Sequence, residues 1–327
     1  MRRAAVLVVT LVVLLGACDS DAEPQEAPDP KAAPSATVDD TPPLPEGWRW
    51  EALGGVQVGV PGDWGWGNSS QRIGQWCISV PPLDPIVGRP GASTAVGCFG
   101  KKGEVDPATL MKNTGTVVEL AWAHEPVQER AEGDQEVRRI GDVVVRVIAP
   151  ARLRERILAT VHEAEVDANG CPMHLPAGFE PGDPPEPAID LTALTGVTSV
   201  AACRYPVQTL DPTDEPIPLF SSLALSGESA ESVVSAFVEA PAGGGPDNPE
   251  SCSPDFSYGD EMLVVLVDSD QGRSAVHVYY SGCDHNGIDD GTTVRALTRE
   301  AVQPLIADAN QPWGWSGKAE KSRILRR

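Results

Sequence analysis

Six cysteines, Cys77, Cys98, Cys171, Cys203, Cys252 and Cys283, constrain this 327-residue chain more than any other feature. An even set of cysteines in an exported protein reads as a disulfide framework, and disulfides decide which loops can lie against which strands. Export is read from the start of the chain. Met1-Arg2-Arg3, an apolar run from Ala4 to Leu15 and small residues before a seventh cysteine, Cys18, have the charge, length and cleavage site of a signal. Many pairings of six cysteines are open, but spacing favours Cys77–Cys98, Cys171–Cys203 and Cys252–Cys283. A metal reading would need Cys-x-x-Cys knuckles or clustered histidines, and the sequence has neither.

The run from Ala4 to Leu15 is too short to span a bilayer, which takes ~20 helical residues. Leu15-Gly16-Ala17-Cys18 resembles the lipobox of bacterial lipoproteins. That resemblance implies cleavage before Cys18 and lipidation of its sulfur, so the mature chain is held at the extracytoplasmic face of the membrane by acyl chains. An ordinary secretory signal with a coincidental cysteine is the alternative. No later apolar run is long enough to cross a membrane.

Charge narrows the partners. Removing Arg2 and Arg3 leaves 23 basic against 47 acidic residues, a mature net of −24. Such a surface repels phosphate backbones, which argues against nucleic acid and leaves divalent cations or a basic partner as better fits.

The layout follows composition. Residues 1–17 are the signal, and 18–45 a tether rich in Pro and acidic residues, with a reach on the order of 80 Å. Residues 46–168 and 169–312 read as two α+β domains of antiparallel sheet plus helix, stapled by disulfides, and 313–327 as a flexible basic tail.

In the first domain the alternation of Val56–Val60 predicts a strand, and Asp106-Pro107 a short helix start. Gly141-Asp142 predicts a hairpin between Val137–Ile140 and Val143–Ile148, and the apolar spacing from Leu153 to Val161 an amphipathic helix. The second domain reads as a proline-dense loop over 172–187, strands at 197–205 and 219–225, and a helix over 229–240. A hairpin of 262–267 with 274–280 follows, then a last helix between Thr298 and Ala309 that Pro304 would kink.

Leu15-Gly16-Ala17-Cys18, Gly47-Trp48-Arg49-Trp50, the run Val56–Trp66, and Gly282-Cys283 with Asp290-Gly291 resemble uncharacterised secreted lipoproteins of actinobacteria. That resemblance implies location and a two-domain layout, and no activity. The opening from Gly55 to Trp64 is similar to the start of PsbP-like lipoprotein domains.

Three groups of residues carry candidate chemistry. Asp284, Asn286, Asp289 and Asp290 put four oxygen ligands in seven residues, a density that suits Ca2+, but the spacing is not that of an EF-hand loop and a polar turn built on Asn286-Gly287 is the favoured reading. Three Trp-x-Trp pairs, Trp48/Trp50, Trp64/Trp66 and Trp313/Trp315, would each set two rings on one face of a strand, ready either to stack on a ligand or to fill a core. His277 and Tyr279 read as a half-exposed pair on one strand face.

No Gly-x-Ser-x-Gly elbow, His-Glu-x-x-His motif or phosphate-cradling glycine loop occurs, so no catalytic residue is assigned. The expectation is a non-enzymatic module that binds an envelope ligand or protein. A wall-directed hydrolase with dispersed carboxylates, and a solute-binding protein, are the alternatives.

Overall fold

The computed structural model describes residues 43–68, 84–89, 99–100, 103–104, 115–123, 129–207, 216–251 and 257–312. The chain is α+β and its described strands form four sheets: three in the first half, of six, three and two strands, and one of six strands in the second.

The first half holds β1 (Trp48–Leu53), β2 (Val56–Pro61), β3 (Gly65–Asn68), β4 (Ile86–Arg89), β5 (Phe99–Gly100), β6 (Gly103–Glu104), β7 (Val117–Trp122), β8 (Arg130–Glu132), β9 (Gln135–Ile140) and β10 (Val143–Ile148). Helix α1 (Ala151–Leu158) and β11 (His162–Glu163) complete it. The order β3-β4-β7-β10-β9-β8 makes a six-stranded sheet, and β1-β2-β11 a small one facing it. Pairing is antiparallel except at β3–β4 and β4–β7, which run parallel.

Period-two alternation explains how the two sheets meet. Leu53, Val56, Val58 and Val60 share one face of the small sheet and pack on Val118, Leu120, Val143, Val145 and Val147 of the large one. Ile157 and Leu158 of α1 close the side of that core. Gly141, at φ +55°, takes the left-handed first position of the two-residue β9–β10 turn, a conformation that costs glycine no Cβ clash.

The second half contains β12 (Ser199–Pro206), β13 (Ser221–Ser226), α2 (Glu228–Glu239), β14 (Glu261–Ser269), β15 (Gly272–Tyr279), β16 (Gly287–Asp289), β17 (Val294–Arg295) and α3 (Arg299–Val302). Its six strands follow the order β13-β12-β14-β15-β16-β17, and every pairing is antiparallel. Alternation again sorts the faces. Val200, Ala202, Leu263, Val265, Val276 and Val278 point to Ala230, Val233 and Phe237 of α2. Ala201, Cys203, Tyr205, Met262 and Tyr279 point to Met173, Leu175 and Leu219.

Two expectations change in detail. The β14–β15 strands run to Ser269 and from Gly272, because Asp268 accepts from Arg273 and Ser199 and stays in the ladder. The helix expected from Thr298 to Ala309 is a single turn. Thr298 caps it through Ala301 N–H, and Pro304, which cannot donate a backbone hydrogen bond, follows two residues after its end.

Residues near the expected 168/169 boundary bond to both halves. Ala168 N–H donates to Gln57 Oε1 at 2.8 Å, and Ser222 donates to Asp167. Gly54 N–H reaches Leu219 O at 2.8 Å, and residues 38–327 fall in one compact unit.

Of the expected bridges, Cys171–Cys203 is formed, with Cα atoms 5.5 Å apart. Cys283 is also disulfide-bonded. Cys18, Cys77, Cys98 and Cys252, the Asp106-Pro107 helix start and Trp313/Trp315 lie outside the described residues.

Candidate functional site

Trp48 and Trp50 lie two positions apart on β1 and therefore share a face of the small sheet, opposite the Val56/Val58/Val60 core face. Both are half-buried. Each indole is held by a different neighbour. The guanidinium of Arg156, from α1, lies over the Trp48 ring with its central carbon 4.8 Å from the centroid. The His162 ring meets Trp50 edge-on at 4.9 Å. His162 itself is fixed at both nitrogens. Nδ1 is 2.9 Å from Thr160 O, so it is the donor there, and Nε2 accepts from Gln57 Nε2 at 3.3 Å. His162 therefore orients Trp50 and has no ring nitrogen left to bind anything else.

Gly59 pairs with Trp50 across the ladder. A Cβ there would collide with Leu44 and press on Thr160, so glycine lets both side chains lie close against β2 at this point. Gly59 N–H in turn donates to Thr160 Oγ1 at 2.8 Å, which fixes the strand that carries His162.

The second expected pair is built differently. Trp64 is 5% exposed and belongs to the first core, so its ring is closed to a ligand. Trp66 donates Nε1–H to Glu51 Oε1 at 2.7 Å and is covered by Arg49 at 4.1 Å. Its ring serves a buried ion network: Glu51 accepts from Arg49 at 2.7 Å and from Arg89 at 2.6 Å. Burial lowers the Arg89 pKa against the opposing attraction of Glu51. Of the two described pairs, Trp48/Trp50 is the one in which both residues are half-buried, and Trp48 also packs against the edge of the first core.

The acidic loop places its four oxygen ligands in separate tasks. Asn286 is fully buried: its amide donates to Gly282 O, Pro246 O and Asp247, and its oxygen accepts from Gly282 N–H. Asp290 accepts from the Thr292 and Thr293 backbone and pairs with Arg295 at 2.6 Å. Burial pushes the Asp290 carboxyl up, but bonds from Thr292 and Arg295 outweigh it and hold it below its ordinary value. Asp289 turns back on Gly291 N–H, and Asp284 on His285 N–H. Among the described residues no group of three His, Cys, Asp or Glu side chains is placed to hold a metal ion.

His277 and Tyr279 are not half-exposed, as alternation alone suggested. The loop over 172–187 covers them: Asp183 O accepts from His277 Nδ1 at 2.9 Å, Gly182 N–H donates to Tyr279 Oη at 2.9 Å, and Phe179 packs edge-on to His277. Burial lowers the His277 pKa, against the raising effect of Asp183 and Asp289. Proline density marked 172–187 as loop, and nothing in its composition says which face it covers.

Arg156 and Arg152 are the functional candidates that sequence reasoning missed. The signal was present in the triplet Arg152, Arg154 and Arg156 on a helix with a single acid, Glu155. Comparison with protein families, with curated proteins and with solved structures gives no match.

Proposed function

We propose that this chain is a lipid-anchored extracytoplasmic protein that binds an envelope ligand without turning it over. Two sequence features support the location: the signal with its Leu15-Gly16-Ala17-Cys18 ending, and cysteines that make sense in an oxidising compartment. The Cys171–Cys203 bridge fits the same compartment.

The observation that carries the binding role is the half-open Trp48/Trp50 face beside exposed arginines. Aromatic surface with a cation at its edge recognises ligands by shape and charge and supplies no acid or base. Buried carboxylates are engaged elsewhere: Glu51, Glu119 and Asp290 by arginines, and Asp167 by Ser222 and the backbone of Asn169 and Cys171.

Replacing Cys18 with Ala tests the anchor by fractionation. The mature chain should leave the membrane fraction, and unchanged membrane retention would refute the lipid attachment. Incubation with labelled wall polymers tests the second half of the proposal, where release of fragments would replace binding with hydrolysis.

A further inference from the structure

Twelve arginine side chains are described, and nine of them pair with an acidic side chain. That is the expected result where acids outnumber bases by 47 to 25. The exceptions among the described residues are Arg152, Arg156 and Arg299. Two of these three stand four residues apart on α1, and so on one side of it, exposed. Arg156 is also the residue laid on Trp48.

The way Arg156 is held matters more than its charge. An indole takes the flat face of a guanidinium and leaves the N–H edges free, which is the geometry that grips a carboxylate through two parallel hydrogen bonds. Arg156 is therefore restrained by Trp48 while its side chain stays exposed. Trp50, kept edge-on by His162, adds an apolar ring surface on the same face. A sugar ring offers what such a surface takes, a flat array of C–H groups.

We infer that the Trp48, Trp50, Arg152 and Arg156 face binds a saccharide bearing carboxylate groups, the ring against Trp50 and a carboxylate on Arg156. This rests on the binding role proposed above and gives it a site and a ligand class. The mature net charge of −24 (23 basic against 47 acidic residues) sets the choice of anion. Repulsion grows with ligand charge, so one carboxylate per sugar is tolerated where a dense polyphosphate is repelled.

The test uses the full mature chain, purified, with tryptophan fluorescence as the signal and trigalacturonate as the probe. Maltotriose supplies neutral rings and tripolyphosphate supplies charge without rings. Saturable binding of trigalacturonate is expected, at least tenfold tighter than either control and weakened at least tenfold in Arg156→Gln and in Trp50→Ala. Arg156→Gln changes an exposed side chain, so it reports on binding even where Trp50→Ala disturbs the fold. Equal binding of maltotriose or tripolyphosphate, wild-type binding by Arg156→Gln, or no binding of trigalacturonate would each overturn the inference. None of these results depends on the Cys18→Ala fractionation, so failure here and failure of the anchor are separate outcomes.

Discussion

Each half of the molecule buries an arginine beside a glutamate, and the two pairs meet at Phe220. In the first half Arg89 donates to Glu51 at 2.6 Å and to Phe220 O at 2.8 Å. In the second, Arg204 pairs with Glu261, stacks on the Phe220 ring at 4.7 Å, and accepts from Phe220 N–H through its own carbonyl. The surroundings send the two guanidinium groups in opposite directions. Burial lowers the Arg89 pKa against the attraction of Glu51, which also serves Arg49 and Trp66, and the positive charges of Arg204 and Arg49 lower it further. Burial also acts on Arg204, but Glu261 together with Tyr280, which donates to the same carboxylate, outweighs it and raises the pKa. One carboxylate that serves two cations compensates each less than one that serves a single cation.

The same contrast holds for charge as a whole. Residues 46–168 carry 13 Lys and Arg against 17 Asp and Glu, whereas residues 169–312 carry 4 against 22. In the second half three of those four arginines are tied to acids: Arg204, Arg273 and Arg295. Among the described arginines, two of the three without an acidic partner, Arg152 and Arg156, therefore lie in the first half, as does the Trp48/Trp50 face.

The largest expected effect comes from breaking the shared carboxylate. Glu51→Ala removes the carboxylate that Arg49 and Arg89 share, beside an Arg89 side chain only 1% exposed, and should cost about 3–5 kcal/mol. Glu261→Ala leaves Arg204 unpaired, but the Glu261 side chain is 13% exposed and water can partly replace it, so about 2–3 kcal/mol is expected. Urea denaturation of both variants decides the matter. A Glu261 variant less stable than the Glu51 variant would mean that sharing does not determine the cost.

The second half also has a covalent brace. Cys171 and Cys203 are 32 residues apart, so closing that loop should contribute about 3–4 kcal/mol in the chain-entropy account. Replacing both with Ala should lower the urea midpoint accordingly. A cost below about 1 kcal/mol would show that the Asp167 and Tyr205 hydrogen bonds to the same loop hold it without the bridge.

How much of this was legible in the sequence depends on the range of each signal. The β9–β10 hairpin, α1, α2 and the β14–β15 pair follow from period, turn residues and apolar spacing within a dozen positions. Cys171–Cys203 followed from grouping the cysteines. Glu51 with Arg89 did not, because the partners are 38 residues apart and neither is marked by its neighbours. The parallel β3–β4–β7 pairings were missed for a related reason: local alternation sets which face a residue takes and says nothing about strand direction. Of the candidate site, the Trp-x-Trp spacing pointed to the shared face of Trp48 and Trp50. It could not separate that pair from Trp64 and Trp66, since burial is decided by what packs opposite.

His277 gives a pH test of the loop over 172–187. Its pKa is lowered from 6.5 by burial, so the folded state favours the neutral ring and the unfolded chain binds the proton more readily. That contribution is complete above pH 6.5 and is lost as pH falls below it toward the lowered folded value. Chemical denaturation between pH 7.5 and 5 should show falling stability, with a shallower slope in His277→Phe. Identical slopes would remove His277 from the account.

Asp167 completes the comparison as a buried acid with hydrogen bonds in place of an ion pair. Its two oxygens accept from Asn169 N–H, Cys171 N–H and Ser222, yet burial outweighs these bonds and raises its pKa. A raised carboxyl pKa means that, above both folded and unfolded values, the native state carries a penalty for the charge. Asp167→Asn removes that charge and keeps an oxygen for the two backbone donors, while its new N–H2 group can donate to Ser222 Oγ. The variant should melt slightly higher at pH 7.5, by on the order of 2 °C, and the advantage should vanish as pH falls and wild-type Asp167 takes up its proton. A lower melting temperature at pH 7.5 would mean that attraction to nearby Arg89, the last of the influences on Asp167, exceeds the cost of burial. The Glu51–Arg89 network would then extend across the junction between the halves, and Glu51→Ala and Asp167→Asn should prove non-additive when combined.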